Sequence, residues 1–257
     1  SRRTRLFSGD SGRHDSPIVR DPTPIGQADY VVMETTYGDR VHQSESHIPD
    51  ELARVINEAR KRRGNIIVPA FAIERTQDIL YHLGRLLEKD RIPHIMVFVD
   101  SPMAIGVTDV FRHHPELFDE DTQELLRTGR HPCNFPGLTM CQTAEASKAI
   151  NHIQGTVMVI AGSGMCTAGL VKHHLANNIG RKQCTVLFVG YQAAGTLGRL
   201  LLDGMKEVRI YGQIHKVKAH IERIEGFSAH ADRNELMAWL STISQPPRHV
   251  FMTHGEP

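Results

Sequence analysis

Val157-Met158-Val159-Ile160 is an unbroken apolar run that ends in the glycine-rich turn Ala161-Gly162-Ser163-Gly164, with a helical pattern following over about 168–178. A short run with no polar alternation, closed by glycine and handed to a helix, is the pattern of a strand buried on both faces of a parallel sheet. The unit recurs on either side. Upstream, Ile66-Ile67-Val68-Pro69 leads into a helix over about 74–89, and Ile95-Met96-Val97-Phe98-Val99 ends in Asp100 before a helix reaching about His113. Downstream, Val186-Leu187-Phe188-Val189 leads into a turn from Gly190 to Gly198 and a short helix. A helix over about 49–63 precedes the whole series, with Leu52, Val55, Ile56 and Ala59 on one face and Gly64 as its stop. Strands alternating with amphipathic helices predict an α/β domain, its mainly parallel sheet flanked by helices. Residues 114–147, with Pro115, Pro132 and Pro136, break the period and predict a helix among loops.

The two ends read differently. Residues 4–8 form a strand running into the polar turn Gly9-Asp10-Ser11-Gly12, and Asp29-Tyr30-Val31-Val32-Met33 forms another that stops at Glu34. Near the other end, 208–211 and 217–221 alternate as half-buried strands, followed by a helix over about 233–242 and a strand at His249-Val250-Phe251-Met252. The middle therefore reads as an α/β domain inserted between two pieces of another. The expected boundaries are 1–40, 41–225 and 226–257.

Composition sets the outer limits. At 257 residues, 40% hydrophobic and 23% charged, the chain matches a globular protein that builds its core without disulfides. A formal net charge of +1 excludes a global field for nucleic acid, so a polyanion would need a local basic cleft. Cys133, Cys141, Cys166 and Cys184 show no CxxC spacing and read as reduced thiols in a cytosolic protein. No apolar run has the ~18–20 residues of a membrane span. The basic start, Ser1-Arg2-Arg3-Thr4-Arg5, has no apolar stretch behind it and is not a signal peptide. Sixteen histidines direct attention to metal and acid–base chemistry.

Four residues read as following apolar strands: Asp10, Glu34, His230 and His254. Ligand sites of open α/β sheets form beyond the carboxyl ends of strands. Converging there, the four would supply two metal ligands and a carboxylate–histidine pair. Plainer roles are open to each. Asp10 can cap its turn, Glu34 can be a solvated strand end, and Ser228 or Asp232 can cap the last helix. His254, in Thr253-His254-Gly255-Glu256, can be structural. The glycine turns at 161–165 and 195–199 precede helices, where backbone N–H groups bind phosphate oxygens. Ser163, Gly164, Thr196, Arg199 and Ser228 are the candidate phosphate or RNA contacts, although tight turns also account for such glycines. Neither turn is a P-loop.

In order along the chain, these segments resemble one family. Phe7-Ser8-Gly9-Asp10 resembles the fourth metal-ligand motif of metallo-β-lactamase-fold hydrolases. Glu34-Thr35-Thr36-Tyr37-Gly38, Ser228-Ala229-His230-Ala231-Asp232 and Thr253-His254-Gly255-Glu256 resemble motifs A, B and C of the β-CASP branch. Gly190-Tyr191-Gln192-Ala193-Ala194-Gly195-Thr196-Leu197-Gly198-Arg199 resembles the bacterial and archaeal members. The resemblance implies a partial metallo-β-lactamase (αββα) fold with an inserted β-CASP domain. It implies a nuclease using two zinc ions for phosphodiester hydrolysis of single-stranded RNA. In that comparison Asp10 resembles a carboxylate bridging the zincs and His254 a ligand of one zinc. His230 resembles the residue that protonates the leaving oxygen or steadies the phosphate, and Glu34 its orienting partner. Histidine rather than valine at motif C favours RNA over DNA. Dimers are common in the family, so a homodimer is a possible state.

The family's HxHxDH motif is absent from the sequence. The chain therefore reads as a C-terminal fragment of a longer enzyme, holding zinc poorly and inactive alone, with exposed sheet edges at both ends. A non-catalytic RNA-binding or scaffold subunit, a DNA-directed nuclease and a nucleotide-binding α/β protein are the competing readings. Retention of all four motif residues argues against the first, and the absence of GxGxxG and Walker motifs against the last.

Overall fold

A computed structural model describes residues 3–42 and 45–255, the side chain of Glu45 excepted. Ser1, Arg2 and Glu256 of the quoted segments lie outside the described residues. In chain order the elements are β1 (Arg5–Phe7), β2 (Tyr30–Glu34), α1 (Ile48–Arg62), β3 (Ile66–Pro69), α2 (Arg75–Glu88), β4 (Met96–Asp100) and α3 (Pro102–His113). Next come α4 (Glu120–Arg127), β5 (Leu138–Met140), α5 (Ala144–Ala149), β6 (Val157–Ala161), α6 (Val171–Asn178), β7 (Thr185–Phe188) and α7 (Leu197–Leu202). The chain continues through β8 (Glu207–Ile210), β9 (Gln213–Lys216), β10 (His220–Arg223), α8 (Arg233–Ser241) and β11 (His249–Thr253).

The apolar runs form a six-stranded sheet in the order β10-β7-β3-β6-β4-β5, every neighbouring pair parallel. Successive side chains go to opposite faces. Ile66, Val68, Val97, Val99, Met158 and Ile160 join one apolar core with Leu52, Ile56, Leu80 and Leu83 of α1 and α2. Ile67, Phe98, Val157, Val159, Val186 and Phe188 join a second with Val171 and Leu175 of α6. Burial on both faces is why these strands carry no polar alternation.

Three expectations are corrected. Residues 114–147 hold β5 and α5 besides the predicted helix; a three-residue edge strand is too short to show a period. The helix expected from 168 begins at Val171. The 217–221 stretch is not one strand: β8 pairs antiparallel with β9, and β10 joins the large sheet beside β7. Gly64 does follow α1, but the left-handed cap residue is Arg63, at φ 54°. Glycine is required at 64 because a Cβ there would overlap the Gln183 carbonyl.

The second sheet is β1-β2-β11, with both pairs parallel. One face is covered by α8, where Val31 and Met33 pack with Ala231, Leu236 and Trp239. The Trp239 indole N–H donates to the Thr23 carbonyl at 3.0 Å, fixing the long β1–β2 connection over the helix. β11 is exposed at every position, with Met252 77% and Phe251 52% accessible, and Phe7 on β1 is 71% accessible.

Candidate metal and catalytic site

β1, β2 and β11 point the same way, so the residues that follow them meet at one edge. Asp10 lies just past β1, Glu34 is the last residue of β2, and His254 is the first after β11. His230 arrives by another route, correcting the expectation that it follows a strand. Residues 224–229 form no strand. Instead His230 is bridged to Gly12, Asp232 to Tyr37, and the Ala231 N–H donates to the Ser11 carbonyl at 2.8 Å. The Asp232 carboxylate caps α8, accepting from the Asn234 and Glu235 N–H groups, while Glu235 returns the bond to the Asp232 N–H. This capping box fixes where α8 starts and so where His230 points. Ser228 instead donates to the His230 carbonyl at 3.2 Å.

Glu34 is buried, and burial favours its protonated form. Hydrogen bonds outweigh that penalty: His230 Nδ1 at 3.0 Å, the Thr36 N–H at 3.0 Å and the Ser11 N–H at 2.8 Å. The carboxyl is held down at about 2. The same bond to Glu34 raises the proton affinity of His230 against the opposing effect of its own burial.

Asp10, His230 and His254 each present a donor atom within 4.8 Å of the others. Asp10 Oδ1 lies 3.6 Å from His254 Nδ1, and the His230 and His254 rings are 5.7 Å apart. One carboxylate oxygen and two imidazole nitrogens are a donor set that suits zinc. His254 sits at φ 56°, and Gly255 after it packs so tightly on Thr35 that a Cβ would overlap its hydroxyl. Thr36 Oγ1 lies 3.0 Å from His254 Nδ1 and donates to the His254 carbonyl at 3.1 Å. His254 is thus held by Thr36.

Residues 76–201 match the Beta-Casp domain family, and residues 214–257 match the Zn-dependent metallo-hydrolase RNA specificity domain. The chain carries a β-CASP domain. It is 35% identical over 254 residues to the ribonuclease TTHA0252 of Thermus thermophilus, covering 99% of this chain and 58% of that protein. It is 28% identical to the transcription termination factor FttA of Methanosarcina mazei (98% of this chain, 41% of that protein). The corresponding factor of Methanocaldococcus jannaschii is 31% identical, over 88% of this chain and 37% of its own length. The chain thus spans little more than half of the first of these relatives and less of the others.

Within the β-CASP domain the two glycine turns are packed against each other. Gln192 donates to the Gly164 carbonyl at 2.8 Å, and the Gly198 N–H donates to the Met165 carbonyl at 3.3 Å. Gly164 is buried, and a Cβ there would lie 2.7 Å from the Phe71 ring. Ring packing therefore accounts for this glycine. Ser163 Oγ exchanges bonds with Ala168 inside its own turn. Thr196 caps α7, and Arg199 pairs with Asp203 at 2.9 Å on the surface. No hydrogen bond among the described residues joins these turns to Asp10 or His230.

The loop after β3 links the two regions. Phe71 lies under the glycine turns, whereas Glu74 lines a cavity of about 370 Å³ with Asp10, Ser8, Arg13, Arg20 and Trp239. Glu74 sits at φ 58°, and burial pushes its carboxyl up. Sequence reading missed Glu74 because nothing local marks its conformation. His42 was missed too: its Nε2 lies 3.1 Å from the His230 carbonyl, a contact made by the path of the chain.

Proposed function

We propose that this chain is the part of a zinc-dependent ribonuclease that carries its proton-transfer pair and part of its metal site. The substrate is single-stranded RNA, cut by phosphodiester hydrolysis. The observation that carries the reading is the bond between buried Glu34 and half-buried His230 beside the Asp10–His254 donors. Asp10 and His254 would hold zinc, which when bound supplies Lewis-acid stabilisation of negative charge on phosphate oxygens. Two zinc ions need more donors than these, so the reading assigns the remaining ligands to residues beyond this chain.

Glu34 keeps His230 oriented and favours its charged form. An imidazolium is a poor ligand but a good acid, so His230 serves as the proton holder rather than as a third zinc ligand. With Nδ1 on Glu34, Nε2 is the atom left to protonate a leaving oxygen. Ser228, Ser163, Thr196 and Arg199 are proposed to meet RNA phosphates along the domain boundary, dividing 1–40 and 226–257 from 41–225.

The name of the Thermus thermophilus relative supports the ribonuclease reading. The archaeal relatives, named as termination factors, are less similar. The test is cleavage of matched single-stranded RNA and DNA by the intact protein, with zinc and after chelation. Zinc-restored cleavage of RNA, lost in Asp10→Asn, is expected. Cleavage of DNA alone would favour the DNA-directed reading, and RNA binding without cleavage a scaffold subunit.

A further inference from the structure

The hairpin of β8 and β9 turns through two residues, Tyr211 and Gly212, between the paired Ile210 and Gln213. Both have positive φ, 50° and 78°. Such turns favour Asn-Gly, and a bulky side chain at the first position is strained. A tyrosine occupies it here, 52% exposed at the hairpin tip. Nothing in the apolar cores holds this ring.

Its neighbours come from the start of α6. The Lys172 ammonium lies 4.9 Å from the Tyr211 ring centroid. The exposed His173 ring lies 4.7 Å away, tilted by 32°. Beside them the Arg209 guanidinium donates to the Gly212 carbonyl at 2.7 Å. Lys172 and Arg209 thus contact a ring and a backbone carbonyl, and among the described residues no carboxylate pairs with either. α6 follows the glycine turn after β6, so this cluster stands at the end of the sheet where the strands deliver their loops. Two exposed aromatic rings, with two unneutralised cations beside them, are the chemistry that takes a nucleobase with its phosphates.

We propose that Tyr211 and His173 form a stacking platform for a base of single-stranded RNA, with Lys172 and Arg209 meeting the phosphates on either side. It is a second RNA contact, separate from the Asp10–His230–His254 cluster, and it rests on RNA being the ligand. Stacking on an aromatic ring reads every base alike, so the platform adds affinity and direction to the path without sequence preference.

The turn itself supplies the control. Tyr211→Asn places a preferred residue at the left-handed position, so it should keep or raise Tm while removing the ring. Tyr211→Phe keeps the ring. Binding of fluorescein-labelled oligoadenylate to the full chain is followed by anisotropy at several salt concentrations. Tyr211→Asn should weaken binding about tenfold, Tyr211→Phe less than about twofold. Lys172→Gln should lower the slope of log affinity against log salt by about one. Wild-type affinity in Tyr211→Asn at unchanged Tm would overturn the platform and leave the nuclease reading standing. Failure of the wild-type chain to bind the RNA at any salt would overturn both.

Discussion

His230 Nδ1 lies 3.0 Å from Glu34 Oε1, although 196 positions separate the two in sequence. The same oxygen accepts from the Ser11 N–H, and Oε2 accepts from the Thr36 N–H, so both carboxylate oxygens face donors. Glu34→Gln must therefore turn an NH₂ group towards another donor. Urea unfolding is expected to show a loss of about 1–3 kcal/mol. RNA cleavage by the intact protein should fall about 10²–10⁴-fold, as expected when a positioned acid loses its partner. Unchanged stability and cleavage would remove the pair from the account.

His82 on α2 gives an acid limit to stability. It is 9% exposed, and its ring meets Phe227 and Tyr81 edge-on at 5.6 Å. Asp78 and Ser228 line the small cavity beside it. Burial lowers its pKa from 6.5 to about 4. The unfolded chain therefore takes up the proton first. His82 costs nothing above pH 6.5, and its contribution is lost as the pH falls to about 4. The stability gap between wild type and His82→Phe should move by about 2–3 kcal/mol in the variant's favour between pH 7 and 4. A gap that stays constant with pH would contradict this.

Gly64 is fixed by the approach of the Gln183 carbonyl. Gly64→Ala should cost about 2–4 kcal/mol, because the segment entering β3 and the Gln183–Cys184 peptide before β7 must separate to admit a methyl group. Gly106→Ala on α3, where a Cβ would meet nothing within 4 Å, is the control and should be neutral or stabilising. Thermal denaturation of the pair separates steric clash from the general effect of replacing glycine.

The parallel sheet was legible because burial on both faces writes itself as unbroken apolar runs, as in Val157-Met158-Val159-Ile160. β5 was not, since Leu138-Thr139-Met140 is half exposed and too short to carry a period. Asp10, Glu34 and His254 could be picked out by position, as polar residues closing apolar strands. His230 was identified for the right cluster on a wrong local premise, because bridges to Gly12 and the cap at Asp232 place it, not a strand. Glu74 and His42 were invisible, since their approach depends on tertiary path alone. The phosphate candidates in the two turns were read from glycine spacing, and at Gly164 the glycine also makes room for the Phe71 ring.

The central claim is that Asp10 and His254 bind metal. Isothermal titration of zinc into the chelator-stripped chain, with Asp10→Ala and His254→Ala beside the wild type, tests it most directly. The account predicts weak one-site binding in the wild type, since the donors are few, and a loss of at least about tenfold in each variant. Equal isotherms for all three proteins would place the zinc elsewhere and contradict the proposed site.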